Sequence, residues 1–299
     1  MMTPMAVTLA LDCRCTLGEG LVWSPRLRSL LWTDIEKSTL WMFRPHDRST
    51  RHWSLPDRLG SFAICESGRV LLGFAKSLAV AELDPASGTE LPVEQIVAIE
   101  PQSPRTRTND GRTDRSGNFV FGTMNEDQDV ASGGFYQYSS RFGLRRLDVG
   151  GVIIPNSICF SLDGRTMYFC DSPTGIIRQV EYDAESARVA NVREFTRYRE
   201  GNGLPDGSVV DADGCLWNAV WGAGVVRRFD PQGDLISEIP FPARNLTCPA
   251  FGGDSLAQLF VTSSRQELTD EELAAAPVSG GVFAMPASVT GVCDSLFRE

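Results

Sequence analysis

Six polar or thiol side chains recur in the sequence at intervals of 42 to 50 residues, and each opens a similar pattern of strand, turn and strand. These six residues are Glu19, Ser61, Asn109, Asn156, Asp206 and Cys248. The carboxylates of Glu19 and Asp206 and the carboxamide of Asn156 offer hard oxygen ligands, which suit a divalent cation such as Ca²⁺, Mg²⁺ or Mn²⁺. Without a cation, two acids brought together would repel each other, and one would stay protonated. The alternative is that the six residues cap strands and bond backbone groups.

The pattern that follows each of these residues indicates an internal repeat. A turn begins five residues later, and a second strand then carries β-branched, aromatic and other apolar residues, as in residues 119–121. A third strand recurs, as in residues 225–229, and an acid or a Pro often follows it, as at residues 84–85. Repeats of this size are typical of the four-stranded blades of a β-propeller. The sequence therefore predicts an all-β, six-bladed β-propeller, a single domain over residues 1–299, whose six repeat residues meet at one mouth of the channel.

Two further segments complete the predicted architecture. Residues 6–11 lie in an apolar run with no preceding Lys or Arg and no following small-x-small cleavage site, so we expect a strand rather than a signal peptide. Paired with residues 281–285, this strand would close the ring and remove exposed sheet edges. Residues 269–276 contain a capping box from Thr269 to Glu272, which predicts a short helix within the last blade.

Charge and histidine content exclude several classes of function. The 299 residues carry 28 Lys and Arg against 38 Asp and Glu, a net charge of −10, and no apolar run approaches the ~18 residues of a membrane span. We therefore expect neither nucleic acid nor a membrane as a partner. The two histidines, His46 and His52, lie in a stretch rich in Arg and Asp and are expected at the surface. A hydrolase with this sequence would base its proton chemistry on carboxylates or on a bound metal ion.

The eight cysteines are expected to be free thiols, which places the protein in a reducing cytoplasm. Several of them lie in or beside apolar runs that resemble strands, and no CxxC motif occurs. Cys13 and Cys15 are separated by one residue, which is too tight for an ordinary disulfide or a zinc knuckle.

The sequence resembles the SMP-30/gluconolactonase family of sugar-lactone hydrolases, also called regucalcin-like lactonases. The resemblance covers about residues 16–286 and rests on five motifs in order, which are GEGLVW followed by SP, NDGRTDRSGNFVFGTM, PNSICFSLDGRTMYFCDS, LPDGSVVDADGCLW, and residues 248–263 followed by GGVF. It implies a six-bladed propeller with one divalent metal ion in its channel, which could be Ca²⁺, Zn²⁺, Mn²⁺ or Mg²⁺. It also implies hydrolysis of a sugar lactone to the aldonic acid. We expect the protein to be a monomer or a small homo-oligomer.

The resemblance assigns the metal ion to three residues that the repeat had already singled out. The family holds its metal ion with a Glu, an Asn and an Asp, which correspond to Glu19 of the GEG motif, Asn156 of the PN motif and Asp206 of the PDG motif. In this interpretation Asp206 also accepts a proton from the attacking water as the general base. The sequence departs from the family at Ser157, where the family often has Gly, and the added hydroxyl is expected to narrow the site.

The substrate-binding residues that the resemblance implies surround the DG pair and the GTM motif. Arg107 and Asn109 correspond to the Arg and Asn that contact the sugar in the family. An acidic residue shortly after GTM contacts the sugar too, and here either Asp127 or Glu126 takes that place. The alternative for Arg107 is a solvated loop position beside Arg105. The identity of the sugar stays open.

Two other classes of function remain open from the sequence. One is metal-dependent hydrolysis of another ester, such as an organophosphate or an aryl ester. Propellers with those activities usually carry a second metal ion and histidines that this chain lacks. The other is a non-enzymatic protein that binds a divalent metal, as has been proposed for animal members of the family.

Overall fold

The described residues, 6–83 and 88–299, form 24 strands in a computed structural model. The strands make six antiparallel sheets of four strands each, arranged as blades around a central channel. In five blades the strand that comes first in sequence lies beside the channel, and the next three are added outward. The predicted all-β, six-bladed propeller is therefore confirmed.

The six blades follow one another along the chain. Blade 1 consists of β2 (Gly18–Ser24), β3 (Ser29–Asp34), β4 (Thr39–Arg44) and β5 (Ser49–Ser54). Blade 2 consists of β6 (Leu59–Ile64), β7 (Val70–Phe74), β8 (Ser77–Ala81) and β9 (Glu94–Ala98). Blade 3 consists of β10 (Thr106–Thr113), β11 (Phe119–Asn125), β12 (Gly133–Ser139) and β13 (Gly143–Val152). Blade 4 consists of β14 (Pro155–Phe160), β15 (Thr166–Asp171), β16 (Ile176–Asp183) and β17 (Arg188–Arg197). Blade 5 consists of β18 (Leu204–Val210), β19 (Leu216–Trp221), β20 (Val225–Phe229) and β21 (Leu235–Pro240). Blade 6 consists of β22 (Asn245–Gly252), β23 (Gln258–Ser264), β24 (Val282–Pro286) and β1 (Thr8–Leu11).

Blade 6 combines strands from both ends of the chain. β1 pairs antiparallel with β24, with Thr8 opposite Ala284, so the predicted closing strand is confirmed, although it begins two residues later than expected. This shared blade supports our proposal that the chain is a single domain. The predicted helix is α1 (Asp270–Ala275), and its capping box between Thr269 and Glu272 is formed on both sides. The predicted turn at residues 84–85 lies outside the described residues.

Aromatic side chains fill the space between neighbouring blades and hold the inner strands in place. Trp217 of blade 5 packs edge-on against Phe251 of blade 6, with ring centroids 5.6 Å apart. Phe135 of blade 3 packs in the same way against Phe169 of blade 4, at 5.0 Å. Such pairs contribute stability beyond their burial and resist sliding of one blade along the next.

Each innermost strand has a break in its pairing with the second strand of its blade. The breaks lie between Glu19 and Val22, Leu59 and Ser61, Thr108 and Gly111, Asn156 and Cys159, Pro205 and Ser208, and Leu246 and Pro249. A β-bulge of this kind bends the strand and changes the direction of its side chains. The bulges therefore coincide with the six residues of the sequence repeat.

The segment after β24 crosses the end of the channel that lies opposite the starts of the inner strands. It makes bridges to the turns that follow β18 and β6, at Asp211 with Gly291 and at Cys65 with Phe297. Between these two bridges, Asp294 accepts a hydrogen bond of 2.6 Å from the buried guanidinium of Arg112 on β10. This C-terminal strap thus closes the second mouth of the channel.

Candidate functional site

The starts of the inner strands surround a cavity of about 150 Å³ at the open mouth of the channel. Its polar lining includes Glu19, Arg107, Asn109, Asn156 and Asp206. These five residues come from blades 1, 3, 4 and 5, and the bulges turn them inward. The structure therefore brings together the residues that the sequence proposed as metal ligands and two of those proposed for substrate binding.

A chain of hydrogen bonds orients the amide groups of the site. Arg107 donates to Asn109 Oδ1 at 2.9 Å, and Asn109 Nδ2 donates to Asn156 Oδ1 at 3.2 Å. Asn156 Nδ2 donates to Ser172 Oγ at 3.0 Å, and the Ser172 hydroxyl donates to the carbonyl of Pro205 at 2.7 Å. Because the amide nitrogen of Asn156 donates to Ser172, the amide oxygen of Asn156 faces Asn109 and the cavity.

The carboxyl groups of the half-buried Glu19 and the buried Asp206 lie close enough to interact. Burial, with the nearby charge of Asp110, raises the pKa of Glu19 to about 8. Burial, with the charges of Glu19 and Asp110, also raises the pKa of Asp206 well above its ordinary value. Asp206 Oδ1 is buried and has no hydrogen-bond partner among the described residues. Crowded carboxyl groups with an unpartnered oxygen form a place that a cation would neutralise.

The donor set at this position fits a divalent cation only when the carboxamide is counted. Within the described ranges, no group of three or more His, Cys, Asp or Glu side chains could hold a metal ion. Glu19 and Asp206 supply two carboxylates, and Asn156 supplies an amide oxygen, which hard cations accept equally well. The residues present therefore fit the kind of ion that the sequence predicted.

Asp110 is a third buried acid near the site, and the sequence analysis missed it. Its Oδ2 accepts a hydrogen bond of 2.8 Å from the backbone N–H of Ile158, and burial raises its pKa. A signal was present in the sequence, because Asp110 directly follows Asn109 within the bulge of β10. Its charge adds to that of Glu19 and Asp206 and strengthens the case for a cation.

Ser157 joins the bulges of blades 4 and 5. It is fully buried at a φ of 61°, the left-handed region that favours glycine. Its hydroxyl donates to the carbonyl of Asp206 at 2.6 Å and accepts a hydrogen bond of 3.0 Å from Asn218 Nδ2. The side chain lies outside the cavity lining, so the expected narrowing of the site is wrong. The hydroxyl instead links Ser157, the direct neighbour of Asn156 in the chain, to the backbone of Asp206.

The two acids proposed after the GTM motif lie outside the cavity lining and differ in their partners. Glu126 Oε1 lies 3.8 Å from Nε of the buried Arg107, whereas Asp127 pairs at 2.8 Å with the exposed Arg105. The burial of Arg107 excludes its alternative as a solvated loop residue. Of the two acids, Glu126 is the one that contacts the site.

An apolar wall and a polar rim complete the cavity, and residues 124–133, which were expected to form part of the outer wall, contribute Met124 and Gln128. The wall consists of Leu17, Met124, Ile154, Leu204 and Trp221, and the rim includes Gln128, Gln266 and Glu267. Most of these residues lie at strand ends or in loops, where the repeat pattern gives no signal. Ser61 and Cys248, which share the repeat position, are buried outside the lining. The two histidines are exposed on blade 1, as expected.

Comparison with protein families gives a match to the SMP-30/Gluconolactonase/LRE-like region over residues 17–265. The chain belongs to the SMP-30/gluconolactonase family. A family relative from Azospirillum brasilense, named L-arabinolactonase, is 42% identical over 97% of this chain and 95% of the relative. Another from Pseudomonas putida, named 6-deoxy-6-sulfogluconolactonase, is 34% identical over 94% of each chain.

Solved structures of the family share the whole fold. The regucalcin from Agrobacterium tumefaciens, described as a calcium-binding protein, superposes with a TM-score of 0.91 and 30% identity over 99% of this chain and 98% of its own. In the part of this chain that the structure describes, no helix is long and apolar enough to cross a membrane.

Proposed function

We propose that this family member hydrolyses the ring ester of a sugar lactone to the aldonic acid with one divalent cation. The observation that carries the proposal is the convergence of Glu19, Asn156 and Asp206, two crowded carboxyl groups and an amide oxygen, on one small cavity. The volume of the cavity, about 150 Å³, suits a small ligand such as a single sugar. The names of the relatives as sugar lactonases support the same class of substrate.

We assign the cation to Glu19, Asn156 and Asp206. When bound, it supplies Lewis-acid polarisation of the lactone carbonyl. Asp206 accepts the proton of the attacking water, and general-base assistance of this kind is typically worth about 10²–10⁴ in rate. The donor set accepts Ca²⁺, Mg²⁺, Mn²⁺ or Zn²⁺, so the identity of the ion is a matter for measurement.

Arg107 and Asn109 are assigned to the sugar hydroxyls. Both line the cavity, and the hydrogen bond from Arg107 to Asn109 Oδ1 orients the Arg107 guanidinium before substrate arrives. Glu126, which accepts a hydrogen bond from Arg58, places its charge 3.8 Å from Arg107 Nε outside the cavity lining. A binding group that is already oriented lowers the entropic cost of placing the ester for attack. The apolar side chains of Leu17 and Trp221 are placed to cover a face of the sugar ring and to exclude water from it.

The experiment that tests the proposal is a panel of pentono- and hexonolactones assayed by acid release. The protein is first stripped with EDTA and then reloaded with each cation, with bound metal quantified. Lactonase activity should disappear on stripping and return on reloading, to a degree that depends on the cation. Asp163 is an exposed turn residue. Asp163→Asn therefore serves as a matched control for Asp206→Asn and should leave the rate unchanged. Full activity in EDTA with no bound metal would contradict the proposal, and metal binding without hydrolysis of any lactone or aryl ester would favour a non-enzymatic role.

A further inference from the structure

Cys13 and Cys15 lie in the link between the closing strand β1 and the inner strand β2. Their sulfur atoms are 3.5 Å apart, although only Arg14 separates them. Arg14 adopts a left-handed φ of 50°, which bends the link at that residue. The sulfurs therefore need to approach by only about 1.5 Å to reach the ~2.05 Å of a disulfide bond. The expectation that these residues are too close in sequence to pair does not account for this bend.

We propose that Cys13 and Cys15 form a dithiol that closes reversibly to an internal disulfide when it reacts with a low-molecular-weight disulfide. This would be a modification site separate from the lactone cavity, and it does not rest on the proposed function. All eight cysteines are free thiols in the described structure.

The surroundings assign different roles to the two thiols. Cys13 is half-buried and donates a hydrogen bond of 3.2 Å to the carbonyl of Gly280, whereas Cys15 is only 1% exposed. Cys15 donates to Cys13 Sγ and accepts from the indole N–H of Trp32 at 3.5 Å. The hydrogen bond to Cys13 and burial both raise the pKa of the Cys15 thiol above its usual range. Cys13 is therefore the attacking thiol and Cys15 the resolving one.

The proposed reaction is two successive thiol–disulfide exchanges. The Cys13 thiolate attacks one sulfur of the small disulfide, breaks its S–S bond and releases one thiolate. Cys15, after losing its proton, attacks the Cys13 sulfur and expels the second thiolate. The protons of the two protein thiols pass to the two released thiolates. The protein is thereby oxidised by two electrons, and the small disulfide is reduced to two thiols.

Cys293 provides an internal comparison for this reaction. It is exposed, so the same reagent can reach it, and among the described residues no second cysteine hydrogen-bonds to it. A mixed disulfide formed on Cys293 therefore has no thiol to resolve it. The other five cysteines are buried inside the propeller.

The test treats the intact, metal-loaded protein with oxidised glutathione, blocks free thiols with N-ethylmaleimide and maps peptides by mass spectrometry. The peptide that holds Cys13 and Cys15 should lose the mass of two hydrogen atoms without accumulating a glutathione adduct, and dithiothreitol should reverse the loss. Cys293 should gain one glutathione. Cys293→Ser should leave closure at the pair unchanged, and Cys15→Ser should trap a stable glutathione adduct on Cys13.

Two results would overturn the proposal. One is a wild-type protein in which Cys13 keeps a stable glutathione adduct, because Cys15 would then be unable to resolve it. The other is modification of Cys293 alone while both thiols of the pair remain open to alkylation after unfolding. The wild-type measurement decides both points, so the conclusion does not depend on the folding of a Cys15 variant.

Discussion

Ser157 offers a way to separate backbone strain from the positioning of a proposed ligand. Ser157→Ala removes the hydroxyl but keeps a side chain at the left-handed φ of 61°, whereas Ser157→Gly removes both. Either change loses the hydrogen bond to the Asp206 carbonyl and one acceptor of Asn218 Nδ2. The Asp206 carbonyl keeps its 2.8 Å bond from Asn218, so neither group is left unpaired.

The magnitudes follow from these contacts. Two lost hydrogen bonds with no orphaned group should lower the free energy of unfolding of Ser157→Ala by about 1–2 kcal/mol. Glycine at a left-handed position avoids a cost of roughly 1 kcal/mol, so Ser157→Gly should be more stable than Ser157→Ala by about that amount. In a protein of this size that difference corresponds to about 2 °C in Tm.

Metal affinity should respond differently from stability. Both variants lose the hydrogen bond between position 157 and the Asp206 carbonyl. If that bond contributes about 1 kcal/mol to the placement of Asp206, both variants should bind the cation about 5-fold more weakly. The assay is titration calorimetry of the stripped protein together with thermal unfolding. Ser208→Ala is the matched control, because Ser208 Oγ accepts a 2.9 Å bond from the same Asn218 amide without touching Asp206. It should lose stability but keep its metal affinity. The reasoning is refuted if Ser157→Gly binds the cation as tightly as the wild type, or if it is no more stable than Ser157→Ala.

Three further predictions concern the acids and the arginine of the site. Glu19→Gln should mainly weaken metal binding, so excess metal should recover much of kcat, whereas Asp206→Asn should lose about 10²–10⁴ in kcat even at saturating metal. In the metal-free protein the pKa of Glu19 is raised to about 8 from 4.5, so the stability that its proton contributes is full below pH 4.5 and is lost as pH rises through about 8. The gap in Tm between loaded and stripped protein should therefore widen over that range. Glu126→Gln should raise KM by loosening Arg107, and Asp127→Asn should not.

Each of these three predictions has an outcome that contradicts it. Rescue of Asp206→Asn by metal as complete as that of Glu19→Gln would mean that Asp206 is not the base. A gap in Tm that stays constant from pH 5 to pH 8 would show that the cation does not relieve the buried acids. A larger rise in KM for Asp127→Asn than for Glu126→Gln would assign the sugar contact to Asp127.

The sequence repeat predicted the four lining residues Glu19, Asn109, Asn156 and Asp206 because a bulge recurs at the same point of each inner strand. The repeat could not predict the direction of each side chain beyond the bulge. Ser61 therefore shares the register of the others and yet is buried outside the lining, where its hydroxyl finds no partner among the residues described.

Features that depend on loops or on a single dihedral angle were beyond the sequence. The approach of Glu126, rather than Asp127, to Arg107 depends on how the chain turns after β11, and Trp221 lines the cavity at the end of β19. The proximity of Cys13 and Cys15 depends on the left-handed conformation of Arg14, a residue type with no preference for it.

The shared blade 6 also sets the order in which the protein can be completed during synthesis. β1 is translated first, but its partner β24 begins only at Val282, and the strap with Asp294 follows it. A nascent chain that stops short of β24 can hold five finished blades, while β23 keeps an open edge available for pairing with another chain. In such a chain blade 6 is unfinished, so the ring that brings Glu19 on blade 1 close to Asp206 on blade 5 is incomplete. High-affinity cation binding should therefore mark chains in which β24 has already paired with β1.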